Sequence, residues 1–354
     1  MHRVCASLFL SGVHSVRNSS VRLAVLLVIS AFLLSKNVHA QKSVPPNQHL
    51  TRLREVLLSK KSGNISQIIE LPDGSFLIRD STYVPLTAQS VEHYSPFGRV
   101  VGRIGSYGSE PGRFNALKQI AYTEKSREVW IVDMLGRVSR FDSDGHFLNS
   151  SVIQAPTFHP YGIAIDEQHG RYYLTGCVAL HFYLDLGCKM IHEYELGTDK
   201  FIRSFMENEK IAVDRKYFSV EDYVATTGPT GLYAMDAPVR KFYKITSQGN
   251  VTSYDIPSKV LGTLPVIDPT QPAEITTKGQ YLLESLLAND KFVVISANVR
   301  DADSHLLEIF TLQGQPVALD VPTTGSLIGE SPRGTFWFSE KHGERYVIAE
   351  YAVQ

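Results

Sequence analysis

Short apolar runs alternate with turn-forming residues along most of the chain after about residue 50. The runs are rich in Val, Ile, Tyr and Phe and are bounded by Gly, Asp, Asn and Pro, which is typical of β-strands. They fall into six successive groups, five of four strands and a last one of three, with second strands that end near residues 80, 133, 176, 236, 297 and 340. The average period is about 52 residues, close to the length of one propeller blade. The pattern predicts an all-β fold, a six-bladed β-propeller of four-stranded antiparallel blades.

The predicted strands follow directly from these runs. They are residues 65–71, 75–80, 90–94 and 99–104; 117–122, 128–133, 136–141 and a strand after the turn 142–145; 161–166, 171–175, 189–196 and 201–205; 219–225, 231–236, 240–245 and 251–256; 281–287, 292–297, 306–311 and 316–321; and 326–330, 335–340 and 345–351.

The sixth group has three strands instead of four. A blade without its outer strand would leave an open sheet edge, which propellers avoid by closing the ring. We predict that Leu50–Leu58 supplies the missing strand from the N-terminal side, so that it joins the C-terminal blade. A short helix packed outside the ring stays an alternative, because Leu53, Val56 and Leu57 also fit helical spacing.

The stretch from residue 103 to residue 147 carries the clearest repeat. It contains a glycine-rich link, then Pro111-Gly112-Arg113-Phe114, then a strand that ends in Ile131-Val132-Asp133, followed by Gly136-Arg137-Val138 and Phe141-Asp142. In this order the features resemble an NHL repeat. The resemblance implies an exported, bacterial-type propeller of the NHL-repeat kind and implies more about fold than about activity.

The N-terminus has the order of a secretory signal peptide. Arg3, Arg17 and Arg22 precede the apolar run 23–34, and Val38-His39-Ala40 offers small residues around a cut after Ala40. Twelve apolar residues fall short of the roughly 20 that span a bilayer. We therefore predict a signal peptide over residues 1–40 and a single propeller domain over residues 41–354. The mature protein would be exported, periplasmic or secreted, without a stable membrane anchor.

The charge of residues 41–354 is mildly acidic. Four of the 35 Lys and Arg residues and none of the 36 Asp and Glu residues lie in the first 40, so the net charge becomes −5. This balance, without blocks of like charge, gives no indication of a nucleic-acid or anionic-membrane partner.

Two cysteines remain after the predicted cleavage, Cys177 and Cys188. In an exported protein, two cysteines with ten residues between them most simply form a disulfide. A reactive thiol or a metal pair is the alternative, but the spacing is not that of a CxxC motif and no His-x-x-His partner is nearby. We predict a disulfide that closes this loop.

The lengths of the connections predict a binding face. Connections between first and second strands, and between third and fourth strands, are tight turns, whereas the long segments all fall on the opposite face of the ring. Long loops on a rigid scaffold are often functional. The alternative is that they only cover the mouth of the central channel. Partner-binding candidates from the cysteine loop and the preceding link are Phe158, His159, Tyr161, His181, Phe182 and Tyr183. The alternative for these residues is packing on the neighbouring blade.

Acids recur at the ends of the second strands: Asp80, Asp133, Asp236 and Glu340. We predict an architectural role in which each carboxylate accepts hydrogen bonds from amides of the next turn. A ring of cation-binding or catalytic acids is the alternative. Glu340 fits the architectural role least well, because its side chain is longer.

The sequence favours a binding module over an enzyme. Six-bladed propellers of the sugar-lactonase type, to which this chain is similar, hold a divalent metal with acids of the innermost strands. Here Glu221 and Glu284 are isolated and Glu330 lies at the far end of its strand. Hard cations need several converging oxygens. We predict no catalytic residue, metal or cofactor, and a protein, peptide or glycan partner. The alternatives are a calcium- or zinc-assisted lactonase or hydrolase that uses channel acids, and a structural module of an envelope assembly.

Overall fold

The computed structural model describes residues 49–59, 65–80, 89–153, 160–176, 179–180, 183–184, 189–207, 223–237, 239–261, 281–299, 304–343 and 345–354. All of them belong to one unit, Pro46–Gln354. They form β-strands and turns, and within these ranges there is no helix long and apolar enough to span a membrane. Cys177 and Cys188 lie outside the described residues, so their disulfide stays a prediction.

In chain order the strands are β1 (Leu50–Leu57), β2 (Ile65–Glu70), β3 (Phe76–Asp80), β4 (Val91–Tyr94), β5 (Val100–Ile104), β6 (Ser106–Tyr107), β7 (Arg113–Phe114), β8 (Leu117–Thr123), β9 (Glu128–Asp133), β10 (Arg137–Asp142), β11 (Phe147–Val152), β12 (Gly162–Asp166), β13 (Arg171–Thr175) and β14 (Ala179–Leu180). They continue with β15 (Tyr183–Leu184), β16 (Lys189–Glu195), β17 (Phe201–Glu207), β18 (Tyr223–Gly228), β19 (Gly231–Asp236), β20 (Lys241–Ile245), β21 (Val251–Asp255), β22 (Tyr281–Ala288), β23 (Phe292–Val299), β24 (His305–Thr311), β25 (Pro316–Thr323), β26 (Gly325–Glu330), β27 (Phe336–His342) and β28 (Arg345–Val353).

Six four-stranded antiparallel sheets form the ring, which confirms the predicted propeller. From the innermost strand outward, blade 1 is β2-β3-β4-β5 and blade 2 is β8-β9-β10-β11. Blade 3 is β12-β13-β16-β17, blade 4 is β18 to β21, blade 5 is β22 to β25, and blade 6 is β26-β27-β28-β1. Each innermost strand contacts those of the two neighbouring blades, and β2 contacts β26, so the ring is closed.

The ring is closed by β1, as the sequence predicts. β1 is antiparallel to β28 from Leu50↔Val353 to Leu57↔Val347 and forms the outer edge of blade 6. The helical alternative for this segment is therefore wrong. Pairing with β28 satisfies the backbone groups of a nine-residue strand that would otherwise be an open edge.

One strand prediction needs correction. The innermost strand of blade 4 was expected over Ser219–Ala225, but β18 runs from Tyr223 to Gly228. Gly228 pairs with Gly231, which leaves Pro229 and Thr230 as a two-residue turn. The glycine-proline sequence indicates the turn but not that the strand continues up to it. Residues 219–222 lie outside the described residues.

The central strands of each blade are buried on both faces, because every blade is covered by its two neighbours. β9 shows this, since Val129, Trp130, Ile131 and Val132 are consecutive and all buried. Continuous apolar runs of this kind are expected where both sheet faces are covered. Aromatic rings fill the wedge between blades: Trp130 of blade 2 lies 5.3 Å from Tyr172 of blade 3, measured between ring centroids.

Side chains of the innermost strands tie each blade to the next. Gln67 of blade 1 accepts from the Ile120 amide at 3.0 Å and donates to its carbonyl at 2.7 Å. Gln119 of blade 2 accepts from the Ile163 amide at 2.7 Å. Thr227 donates from blade 4 to the Ile165 carbonyl of blade 3. These bonds satisfy backbone groups at the inner edge of each sheet, where there is no further strand to pair with.

Candidate functional site

The two faces of the ring carry connections of different length. The turns between first and second strands, and between third and fourth strands, lie on one face, and none is longer than five residues. Every connection longer than five residues leaves the opposite face. The longest are residues 105–116, 176–188, 208–222 and 256–280. We call the two sides the short-turn face and the long-connection face. The strand bounds agree with the asymmetry that the sequence predicts.

Most of the predicted binding residues cannot be placed. Phe158, His159, His181 and Phe182 lie outside the described residues. Tyr183 begins β15, which pairs with β14 in a small hairpin through Leu180↔Tyr183. Tyr161 is the candidate that the structure places fully. Whether the six residues come together therefore stays a prediction.

Tyr161 lies just before β12 at the long-connection face and packs against the apolar cluster shared by blades 3 and 4, which agrees with the packing alternative for this residue. Its amide donates to the Thr175 carbonyl at 2.8 Å, which fixes the backbone just before β12. Its ring lies 4.7 Å from the Lys118 ammonium nitrogen, measured to the ring centroid. Lys118 is the second residue of β8. A cation over an aromatic face is attracted by the ring quadrupole. The pair therefore joins the innermost strand of blade 2 to the start of blade 3 at the long-connection face.

Asp133 has the architectural role that the sequence predicts. Its carboxylate accepts from the amides of Leu135 at 2.9 Å and Arg137 at 3.0 Å, which belong to the next turn. The second oxygen accepts from the Asn115 amide at 2.9 Å, in the connection from blade 1. These bonds lock the turn between β9 and β10 on the long-connection face.

The locked turn presents two apolar side chains to solvent. Leu135 is 60% exposed and Met134 is 37% exposed. The Met134 amide donates to the Asn115 and Ala116 carbonyls, so the backbone is held from both sides. The sequence analysis missed this pair. The sequence feature that could have identified this pair is the presence of two large apolar residues in a turn, where polar residues are usual.

Glu340 differs from the predicted role, because its partners come from β1, β28 and the residue before β26 and not from the amides of the next turn. Its carboxylate accepts from Arg52 at 3.0 Å, Tyr351 at 2.6 Å and Thr324 at 2.8 Å. A glutamate side chain reaches across strands, whereas an aspartate reaches its own turn. Glu340 therefore fastens β1 to blade 6.

Carboxylates of the described innermost strands are spread out. Glu70, Asp166 and Glu330 are the last residues of β2, β12 and β26, at the short-turn face. Glu70 already contacts Arg54 and Arg333, and Asp166 contacts His169 at 2.8 Å. Glu284, in the body of β22, is separate from them, as the sequence indicates. Glu221 lies outside the described residues. These described strands thus bring together no set of converging carboxylates of the kind that a hard cation needs.

One further group of possible metal ligands lies on the short-turn face: Asp142, Asp144 and His146. The Asp142 carboxylate accepts from the amides of Asp144 at 3.0 Å and His146 at 2.8 Å. The His146 ring lies 2.9 Å from the same carboxylate. These bonds are those of a local turn, and they account for the cluster without a metal.

Glu330 should make the stability of the protein depend on pH. Burial, and secondarily the charge of Asp290, raises the pKa of Glu330 to about 8. A carboxyl whose folded pKa is raised keeps its proton longer in the folded state, so stability falls as pH rises from the ordinary pKa towards 8. We expect Glu330→Gln to exceed the free energy of unfolding of the parent by less than about 1 kcal/mol at pH 5 and by about 2–4 kcal/mol at pH 8.5.

Urea denaturation between pH 5 and pH 9 measures this difference. Glu124→Gln is the matched control, because Glu124 is exposed on a turn of the short-turn face. A pH-independent difference between Glu330→Gln and the parent would contradict the assignment of a neutral Glu330.

The sequence matches no protein-family model and no curated protein. The NHL-repeat resemblance of blade 2 is therefore not confirmed as family membership. Solved structures do share the fold. A protein from Bacteroides fragilis NCTC 9343 named "putative exported protein" superposes with a TM-score of 0.61 at 12% identity, over 88% of this chain and 97% of that one.

Two further structures show the same ring. A member of the DUF4221 family from Bacteroides vulgatus ATCC 8482 has a TM-score of 0.62 at 8% identity, over 86% of this chain and 98% of that one. A catalytically inactive virginiamycin B lyase from Staphylococcus aureus with quinupristin has a TM-score of 0.50 at 12% identity, over 86% and 100%. At these identities the similarity concerns the fold alone. This chain is a six-bladed β-propeller whose structural neighbours include a protein named "putative exported protein", a DUF4221 protein and a lyase.

Proposed function

We propose that the protein is an exported propeller that binds a protein, peptide or glycan partner through its long-connection face. The observation that carries the proposal is that every connection longer than five residues leaves this one face. A rigid ring of blades can keep its core unchanged while such connections vary, which is how many scaffolds carry binding sites. Export is supported by the predicted signal peptide over residues 1–40 and by the structural neighbour named "putative exported protein".

The Met134–Leu135 turn supports a protein or peptide among these partners. Both side chains are exposed and their backbone is already fixed by Asp133. Burying a side chain of this size contributes about 1.5–3 kcal/mol, and little conformational entropy is lost when the turn is ordered beforehand. Tyr161 lies on the same face. Phe158, His159, His181, Phe182 and Tyr183 are proposed as further contacts there.

The alternative function is a metal-assisted lactonase or hydrolase. We consider it because a lyase shares the fold of this chain. It would need calcium or zinc held by channel acids. Glu70 and Asp166 are already paired, and Glu284 stands apart. Calorimetric titration of residues 41–354 with Ca²⁺ and Zn²⁺ separates the two functions, because stoichiometric micromolar uptake would overturn the binding-module proposal.

The binding face can be tested with displayed peptides and a glycan array, both applied to the immobilised chain 41–354. We expect ligands selected in this way to bind the double variant Met134→Ser, Leu135→Ser at least tenfold more weakly, about 1.4 kcal/mol or more. Phe97→Ser is the matched control, because Phe97 is 84% exposed on a tight turn of the short-turn face. An equal loss in both variants, or none in the double variant, would argue against this face.

A further inference from the structure

Four innermost strands contain a β-bulge, and each bulge changes the direction of one side chain. The register shifts fall at Ser66, Lys118, Glu284 and Ile328. In a regular strand, side chains alternate between the two faces of the sheet, which in a propeller means between the two neighbouring blades. A bulge residue is released from this alternation and can be aimed elsewhere.

Glu284 is the bulge residue of blade 5, and its neighbours define where it can point. Leu283 packs in the apolar cluster that also holds Tyr233 of blade 4. The Ser285 hydroxyl donates to the Leu327 carbonyl of blade 6 at 3.0 Å. Because the two flanking side chains already face the two neighbouring blades, Glu284 is directed at the remaining side of the strand, which is the central channel.

The carboxyl group of Glu284 is accessible to solvent and is also surrounded by protein atoms. Its side chain is exposed, and none of the described residues provides it with a hydrogen bond or an ion pair. Burial by the surrounding protein nevertheless raises its pKa. A surface carboxylate would be hydrated by bulk water, whereas a carboxylate on the wall of an internal channel is poorly solvated. A cation in the channel would therefore stabilise the charged form of Glu284.

The single negative charge of Glu284 determines which class of cation the channel can bind. Within the described innermost strands, Glu284 is the one carboxylate that does not lie at a strand end. A single carboxylate does not provide the several oxygens that calcium or magnesium requires. An ammonium or guanidinium group needs one negative charge and can donate several hydrogen bonds to it.

We propose that the central channel binds a small organic cation, an alkylammonium or guanidinium group, against the carboxylate of Glu284. This site is separate from the Met134–Leu135 turn and requires no partner on the long-connection face.

Calorimetric titration of chain 41–354 with agmatine, which carries both an ammonium and a guanidinium group, tests the proposal. We expect Glu284→Gln to weaken agmatine binding at least tenfold. Gln keeps the size of the side chain, and no described residue depends on Glu284 for a hydrogen bond, so the variant should fold. Because burial raises the pKa of Glu284, its melting temperature near neutral pH should be equal to or above that of the parent. Glu124→Gln is the matched control, because it removes the same charge from an exposed turn, and it should bind agmatine as the parent does.

Three outcomes would overturn the proposal. The first is no agmatine binding to the parent chain up to about 10 mM, which corresponds to less than about 3 kcal/mol of binding free energy. The second is equal binding by Glu284→Gln and the parent. The third is displacement of agmatine by micromolar Ca²⁺, which would assign the site to a metal. The Met134→Ser, Leu135→Ser variant should bind agmatine normally, so failure of the proposed binding face and failure of the channel site are distinguishable.

Discussion

A chain that begins at Ser59, and therefore lacks β1, should fail to form a stable monomer, whereas a chain that begins at Gln41 should fold. Without β1 the backbone of β28 becomes an open edge, which favours association with other chains. The side chains that β1 brings to blade 6 are lost as well. We expect the loss to consume most of the folding free energy, which for single domains is about 5–15 kcal/mol.

Size-exclusion chromatography and urea denaturation of the two chains measure this effect. A synthetic peptide of residues 49–59, added to the shortened chain, should restore a monomer with the melting temperature of the longer chain. Equal stability of the two chains without the peptide would show that β1 does not close the ring in solution.

Arg54→Met should be the most destabilising substitution of a charged side chain in β1. The Arg54 guanidinium contacts the buried carboxylates of Glu70 at 2.5 Å and Glu350 at 2.6 Å. It also lies 4.6 Å from the ring centroid of Trp337, whose indole nitrogen donates to Glu70 at 3.1 Å. Removing one partner of a buried ion pair costs about 3–5 kcal/mol. Because Arg54 is 35% exposed and Arg333 also serves both carboxylates, we expect about 2–4 kcal/mol.

Arg52→Met is the matched control on the same strand. Arg52 contacts Glu340, which keeps Tyr351 and Thr324 as partners when the guanidinium is removed. We expect this variant to lose about 0–1 kcal/mol. Equal losses for the two variants, measured by urea denaturation at pH 7, would contradict a special role for Arg54.

The effect of Arg54→Met should also shrink in acid. Burial by itself would raise the pKa of Glu350, but hydrogen bonds from Thr335, Arg54 and Arg333 outweigh burial and hold the pKa below its ordinary value. A depressed carboxyl pKa contributes stability above the ordinary value, and that contribution is lost as pH falls through the folded pKa. The difference between the variant and the parent should therefore be larger at pH 7 than at pH 3.

The strands were predicted correctly where residues close together in the sequence determine them. Apolar runs bounded by glycine and aspartate located the strands of all six blades, and the missing strand of the sixth group pointed to β1. The predicted bounds of β18, the innermost strand of blade 4, were wrong. The end of a strand depends on the register in which it pairs with the neighbouring strand, here β19. Gly228 pairs with Gly231 across the Pro229–Thr230 turn, and nothing in residues 226–228 alone requires this.

The candidate sites were less predictable than the fold. The role of Asp133 was foreseen, because an aspartate bonds to its own turn, and that turn is local in sequence. The exposed Met134–Leu135 pair was missed, because exposure depends on what the neighbouring connections cover. The Glu70 and Glu350 cluster was missed because its members are separated by up to 296 positions, as in the contact of Arg54 with Glu350.

The sequence by itself determined the number of blades, the tight turns on one face and the closing role of β1, because these follow from local alternation and from counting strands. Only the tertiary structure decided which acids are paired, which apolar side chains are exposed and where Glu284 points. The physical reason is that burial, ion pairing and β-bulges arise between blades. Each blade interface joins segments that are distant in sequence, and the energy of a charged group there depends on neighbours that its own strand does not specify.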